Sequence, residues 1–180
     1  MTGKRATASP GRDGKRVRHE RSAGGIVFRR SDGSDERGTS DSSDERGTTN
    51  EHLFLVIRDG YGNWGFSKGH LERRERSATA ALREVMEETG LRSLKLVGAI
   101  ATIEWYFRLH GNLIHKRCEY FLMETDTATT KPQESEGITA CRWATLSEAR
   151  DLVRYDNARE VLQRAHDMIA AAQMSAPQAR

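Results

Sequence analysis

Residues 69–91 read GHLERRERSATAALREVMEETGL, a charged loop that runs into one amphipathic helix. With Glu84 set at zero and roughly 100° of rotation per residue, Glu88 falls near +40° and Glu87 near −60°. On the same wheel Ala78, Ala81, Leu82 and Val85 spread from about 60° to about 160°, which predicts a core side next to a carboxylate cluster. Three like charges at these spacings repel, each pair by on the order of 0.2–0.5 kcal/mol, so a compensating cation is expected. A hard divalent ion such as Mg²⁺ takes oxygen ligands and is commonly held by one or two carboxylates together with substrate phosphates. Gly90 is expected to cap the helix in the left-handed conformation, with Leu91 as the apolar residue that follows it.

An E-x-x-E-E run alone is most often a solvated helix face. Here it is part of a longer pattern: Gly69, five residues, Glu75, seven residues, Arg83-Glu84, Val85, Met86, Glu87-Glu88, Thr89, Gly90, Leu91. This resembles the Nudix box, G-x5-E-x7-R-E-U-x-E-E-x-G-U with U apolar, at every specified position. The resemblance implies an α/β fold, a mixed β-sheet sandwiched between α-helices. It also implies hydrolysis of a nucleoside diphosphate linked to another moiety, with Mg²⁺ or Mn²⁺ and a water nucleophile. By position in the box, Glu84 and Glu88 are then metal ligands and Glu87 a further one, while one of these or Glu136 is the base. Arg83 and Glu75 become the pair that orients the glutamates, and Gly69 lets the loop pass close to the metal site.

The lead-in to the box says something about substrate. WGFSKGHLE at 64–72 resembles the W-x-x-P-K-G-H-x-E lead-in of the Nudix hydrolases that act on diadenosine polyphosphates, with Ser67 where that pattern has Pro. A small-molecule nucleotide, a dinucleoside polyphosphate, is therefore the expected substrate. The alternatives are clearing of damaged nucleoside triphosphates, removal of pyrophosphate from RNA 5′ ends, and a non-catalytic nucleotide-binding module. The last usually lacks box glutamates, and all are present here.

Charge has to be located before it is interpreted. Residues 1–21 carry +5 of a total of +3, leaving −2 for the remainder, so the pI near 9.0 belongs to a basic tail on a near-neutral body. Such a tail is more often solvated than a nucleic-acid arm. It has almost no apolar residues and is expected to be disordered. No apolar run approaches a membrane span and no apolar signal-peptide core opens the chain, which gives a cytoplasmic, non-membrane expectation. Cys118 and Cys141 lack metal-ligand spacing and read as reduced core residues. Oligomeric state is left open.

A single domain is expected over residues 22–172, followed by a frayed tail at 173–180. SAGGIVFRR at 22–30 reads as its first strand and HLFLVIRD at 52–59 as the partner in a hairpin. Between them, SDERGTS at 34–40 recurs as SDERGTT at 43–49, a duplication inside a loop insertion at 31–50 that offers nothing to a core and is expected to be disordered. Gly60–Asn63 is a turn, after which Lys68 and His70 stand beside the box as candidates for phosphate contact. Leu94–Phe107 and Lys116–Met123 read as strands joined by a turn near His110-Gly111-Asn112. Alternation sends Trp105 and Phe107 to one face and Tyr106 to the other. Any of the three is a candidate base-stacking ring, and His115 and Lys116 are further candidate contacts for a polyphosphate. The loop at 132–137 holds Glu134 and Glu136, 138–144 is another strand, Ser147-Glu148 opens a helix, and 157–172 forms the last helix.

Overall fold

The run Ala23–Phe28 is buried residue by residue, on both sides of its strand, which a strand at the centre of a covered sheet requires. The computed structural model describes residues 17–31 and 52–175. In it β1 (Arg18–Arg30) pairs antiparallel with β2 (His52–Asp59) and parallel with β6 (Asn112–Glu124). The strand order is β3 (Trp64–Gly65), β2, β1, β6, β5 (Lys95–Leu109); β4 (Lys68–His70) pairs with β1 and β7 (Ile138–Ala144) with β2. With one parallel pair among antiparallel ones the sheet is mixed, as expected.

Period-two alternation divides the apolar side chains between two layers. Ile26, Phe28, Phe54 and Val56 face α3 (Asp156–Ser175), which contributes Val161, Leu162, Ala165 and Ile169. Ala23, Val27, Leu55 and Met123 face α1 (Ser77–Thr89), which contributes Ala80, Ala81 and Val85. Each fully buried aliphatic or aromatic side chain stabilises by roughly 1.5–3 kcal/mol, so both layers hold the sheet. Gly25 lets α1 come this close: a Cβ there would lie 2.6 Å from Val85 Cγ2.

Local chemistry sets the ends of the elements. α1 stops at Gly90, whose φ of 73° is left-handed, and Leu91 beyond it is buried. α2 (Leu146–Leu152) starts from a capping box between Thr145 and Glu148. His110 and Gly111, with φ of 47° and 80°, turn the β5–β6 hairpin.

Several boundaries differ from the sequence expectation. β1 begins at Arg18 rather than Ser22, because Arg18–Arg21 pair with Ile114–Arg117 of β6. Sheet pairing therefore extends into the stretch assigned to the basic tail, whose residues 1–16 lie outside the described residues, as do 32–51 of the loop insertion and 176–180 of the C-terminal tail. α3 runs to Ser175, past the expected fraying point. On α1 Ala80 is fully buried, where the wheel favoured Ala78 and Leu82; it joins the layer of Ala23, Val27 and Leu55. No helix among the described residues is long and apolar enough to cross a membrane.

Candidate active site

α1 carries Arg83, Glu84, Glu87 and Glu88 on the side facing the Lys68–His70 strand. Arg83 organises this group. Its Nε and Nη2 donate to the two oxygens of Glu75 at 3.0 and 2.9 Å, and its Nη1 donates to Glu84 and Glu87 at 2.9 Å each. Nη2 also reaches the His70 carbonyl at 3.0 Å, which ties the helix to β4. A guanidinium suits this because its donors are fixed in one plane. Hydrogen bonds from Arg83 and from the Glu72 amide hold the Glu75 carboxyl below its ordinary value.

Glu84 and Glu88 are in the opposite condition. Burial pushes the Glu84 carboxyl up, against the pull of Arg83, and pushes Glu88 up to about 7 despite the nearby Ser67 hydroxyl and the Lys68 side chain. The Lys68 amide donates to Glu88 Oε2 at 3.2 Å. A Cβ at position 69 would run into the Glu84 carboxylate, so any larger residue there would push that side chain off its bond to Arg83. Glu136 adds to the negative field at Glu84. Among the described residues no three side chains already converge as a ready-made metal site; in this state Arg83 holds Glu84 and Glu87. The donor set nevertheless fits a hard divalent cation: it offers oxygen ligands alone, and a bound cation would relieve the raised Glu84 and Glu88 carboxyls.

Next to the glutamates lies a cavity of about 960 Å³. Glu88, Glu136 and Lys68 line one part of it, and Trp64, Phe66, Trp105, Tyr120 and Tyr155 give it aromatic walls. Glu136 closes a single 3₁₀ turn at Glu134–Glu136, and Glu134 is not among the lining residues. Lys116 sits beside Trp105, its Nζ 6.0 Å from the ring centroid. Burial and the nearby Lys68 both lower the Lys116 ammonium from its ordinary value.

Not every candidate reaches this cavity. Tyr106 points to the opposite face of the sheet, where it is 63% exposed and stacks on His115 at 4.4 Å between centroids. His115 bonds there to Glu104 at 3.0 Å and to His19 at 3.0 Å. Phe107 shares the Trp105 face but is not among the lining residues. Tyr106, His115 and Phe107 are therefore not brought to this cavity: alternation turns the first two away, and Phe107 lies two residues further toward the hairpin tip; His70 and Lys116 are also outside its lining, though they share the face of Lys68 and Trp105. Trp64, Tyr155 and Asn157 line the cavity without having been singled out. Trp64, an aromatic shortly before the box, carried a readable signal; Tyr155 and Asn157, at the junction of α2 and α3, did not.

A mixed sheet between helices, with a glutamate-bearing loop and helix at the mouth of an aromatic cavity, defines the class: a phosphoanhydride hydrolase of Nudix type. The NUDIX domain model matches residues 43–165, so the chain belongs to the Nudix family and is a pyrophosphohydrolase. It is 29% identical to MutT4 of Mycobacterium tuberculosis over 99% of this chain and 68% of that protein. It is 30% identical to the asymmetrical bis(5′-nucleosyl)-tetraphosphatase of Rattus norvegicus over 68% of this chain and 83% of that one. In fold it is similar to the Ap4A hydrolase of C. elegans, with a TM-score of 0.59 at 16% identity over 84% of this chain and 98% of the other.

Proposed function

We propose that this enzyme is a divalent-metal-dependent hydrolase of dinucleoside polyphosphates, of the diadenosine tetraphosphate type, acting in the cytoplasm. The observation that carries the reading is the continuity of the cavity. One space of about 960 Å³ is lined by Glu88, Glu136 and Lys68 and by Trp105, Trp64 and Tyr155, so a phosphate chain and a base fit in it together. The similarity to a bis(5′-nucleosyl)-tetraphosphatase supports the same substrate class.

Glu84 and Glu88, with Glu87 recruited from Arg83, would hold Mg²⁺ or Mn²⁺. When bound, the metal neutralises the pyrophosphate and lowers the pKa of water. Arg83, fixed by Glu75, keeps the Glu84 carboxylate oriented in the absence of the cation. A box glutamate or Glu136 takes the proton from the attacking water. Lys68, beside the glutamates on β4, meets phosphate oxygens with charge-assisted hydrogen bonds, and His70 and Lys116 stand further along the same face, where a longer chain would reach them. Trp105 stacks on one base, which fixes the chain in register without reading base identity. Chain length should then matter more than the base.

The test is kcat/KM for diadenosine tri-, tetra- and pentaphosphate, ATP, oxidised dGTP and a 5′-triphosphorylated RNA at one Mg²⁺ concentration. The expected winner is a dinucleotide. A mononucleotide ahead by tenfold, about 1.4 kcal/mol in transition-state stabilisation, would replace this reading with triphosphate sanitation. An RNA ahead by the same margin would replace it with 5′-end processing.

A further inference from the structure

Five side chains that the sequence scatters widely lie in one file across the sheet. Gly24 pairs with Lys68 and Ser22 with His70 on one side of β1, while on the other Glu20 pairs with Lys116, which in turn pairs with Trp105. Directly paired residues share a face, and so do residues two apart on a strand. Lys68, His70, Glu20, Lys116 and Trp105 therefore face the same layer. Lys68 begins the file beside Glu88, and Trp105 ends it at the aromatic wall.

The file contains three groups able to carry positive charge and one carboxylate set between two of them. β1 lies between β4 and β6, which puts Glu20 between His70 and Lys116. The Glu20 side chain is 12% exposed; His70 Nε2 lies 3.1 Å from one of its oxygens and Arg18 Nε 3.5 Å from the other. The hydrogen bond from His70 holds the Glu20 carboxyl below its ordinary value, and the charges of Lys116 and Arg18 act in the same direction. Glu20 is thus an anion at neutral pH. It takes up the charge of the groups that a phosphate chain would meet after Lys68.

We propose that Glu20 is a specificity-determining residue that sets the upper limit on the length of phosphate chain this site accepts. The inference rests on the polyphosphate reading above and deepens it. A chain short enough to end at Lys68 never meets the carboxylate. A longer one must bring its outer phosphates against a fixed negative charge, a repulsion worth on the order of tenfold in affinity at low salt. The role is one of exclusion, distinct from the attraction supplied by Lys68 and Lys116.

Glu20→Gln tests this, because the amide still accepts a hydrogen bond from His70 but carries no charge. In the variant the kcat/KM ratio of diadenosine hexaphosphate to tetraphosphate should rise about fivefold or more, through KM, with kcat moving less than about twofold. An unchanged or lower ratio overturns the proposal. A second arm needs no turnover: NMR titration of the metal-free protein with linear inorganic hexapolyphosphate and with tripolyphosphate, at low and high salt. Hexapolyphosphate should bind Glu20→Gln at least about threefold tighter than the native protein, tripolyphosphate should change less, and the difference should shrink with salt. Equal gains for both anions, or a loss for both with a lower Tm, would mark Glu20 as structural and end the proposal. If the native enzyme cleaves no dinucleotide but the hexapolyphosphate gain appears, the substrate reading fails and this inference stands. If it cleaves dinucleotides but the gain is missing, the substrate reading stands and this inference fails.

Discussion

Replacing Glu88 with Gln should make the metal-free protein more stable at pH 8 while abolishing turnover. Burial raises the Glu88 carboxyl from an ordinary 4.5 to about 7. A carboxyl whose folded pKa lies above its unfolded one binds its proton more tightly in the native state. Native stability therefore falls as pH rises from about 4.5 to about 7 and stays low above that. At about 1.36 kcal/mol per pKa unit the ceiling is about 3 kcal/mol. Glutamine also loses hydration on burial and accepts more weakly from the Lys68 amide, so a gain of about 1–2 kcal/mol is expected. For a domain of this size that is a rise in Tm of roughly 3–6 °C. The assay is denaturation of both proteins in EDTA at pH 5 and pH 8, repeated with millimolar Mg²⁺. The variant should lead at pH 8 and fall behind the native protein at pH 5, where Glu88 is protonated and its penalty is mostly gone. Added Mg²⁺ should reverse the order, because it stabilises only the protein that binds it. A variant less stable than the native protein at pH 8 without metal, or a difference independent of pH, would refute the reasoning.

Two further outcomes follow from the site and the sheet. Deleting residues 1–16 should leave Tm and turnover on small nucleotides nearly unchanged, whereas deleting through Arg21 should lower both, since it removes the Arg18–Arg21 pairing with β6. Thermal scans and steady-state rates on the two truncations decide it, and equal behaviour would contradict the β1 boundary. Trp105→Ala should raise KM for a dinucleotide about five-fold or more, from a stacking loss of about 1–3 kcal/mol, while Tyr106→Ala on the opposite face should leave KM alone. Equal effects from the two would mean that the cavity does not seat the base.

How much of this was legible in the sequence depended on how local the cause was. The α1 helix, its carboxylate side and its Gly90 cap follow from a 3.6-residue period and one φ preference, both carried by adjacent residues. Trp105 and Tyr106 separated correctly for the same reason, since alternation is local. Which ring meets the cavity was not legible, because the cavity is also built from β3 and from the α2–α3 junction. β3 and β4, two and three residues long, are too short to show a period, and they exist through pairing with β2 and β1. Glu20 was the hardest case. Its neighbours are polar and basic, so composition assigns it to a solvated tail, and only the parallel register with β6 brings it beside Lys116.

The central claim is that the box glutamates support metal-dependent attack of water on a phosphoanhydride of a dinucleoside polyphosphate. It is tested most directly by running the reaction on diadenosine tetraphosphate in ¹⁸O-water, with Mg²⁺ and with EDTA, and weighing the products. Cleavage is predicted only with the metal, with one ¹⁸O in a phosphate of one product and none in adenosine or ribose. Cleavage that persists in EDTA, or products that carry no label on phosphorus, would contradict it.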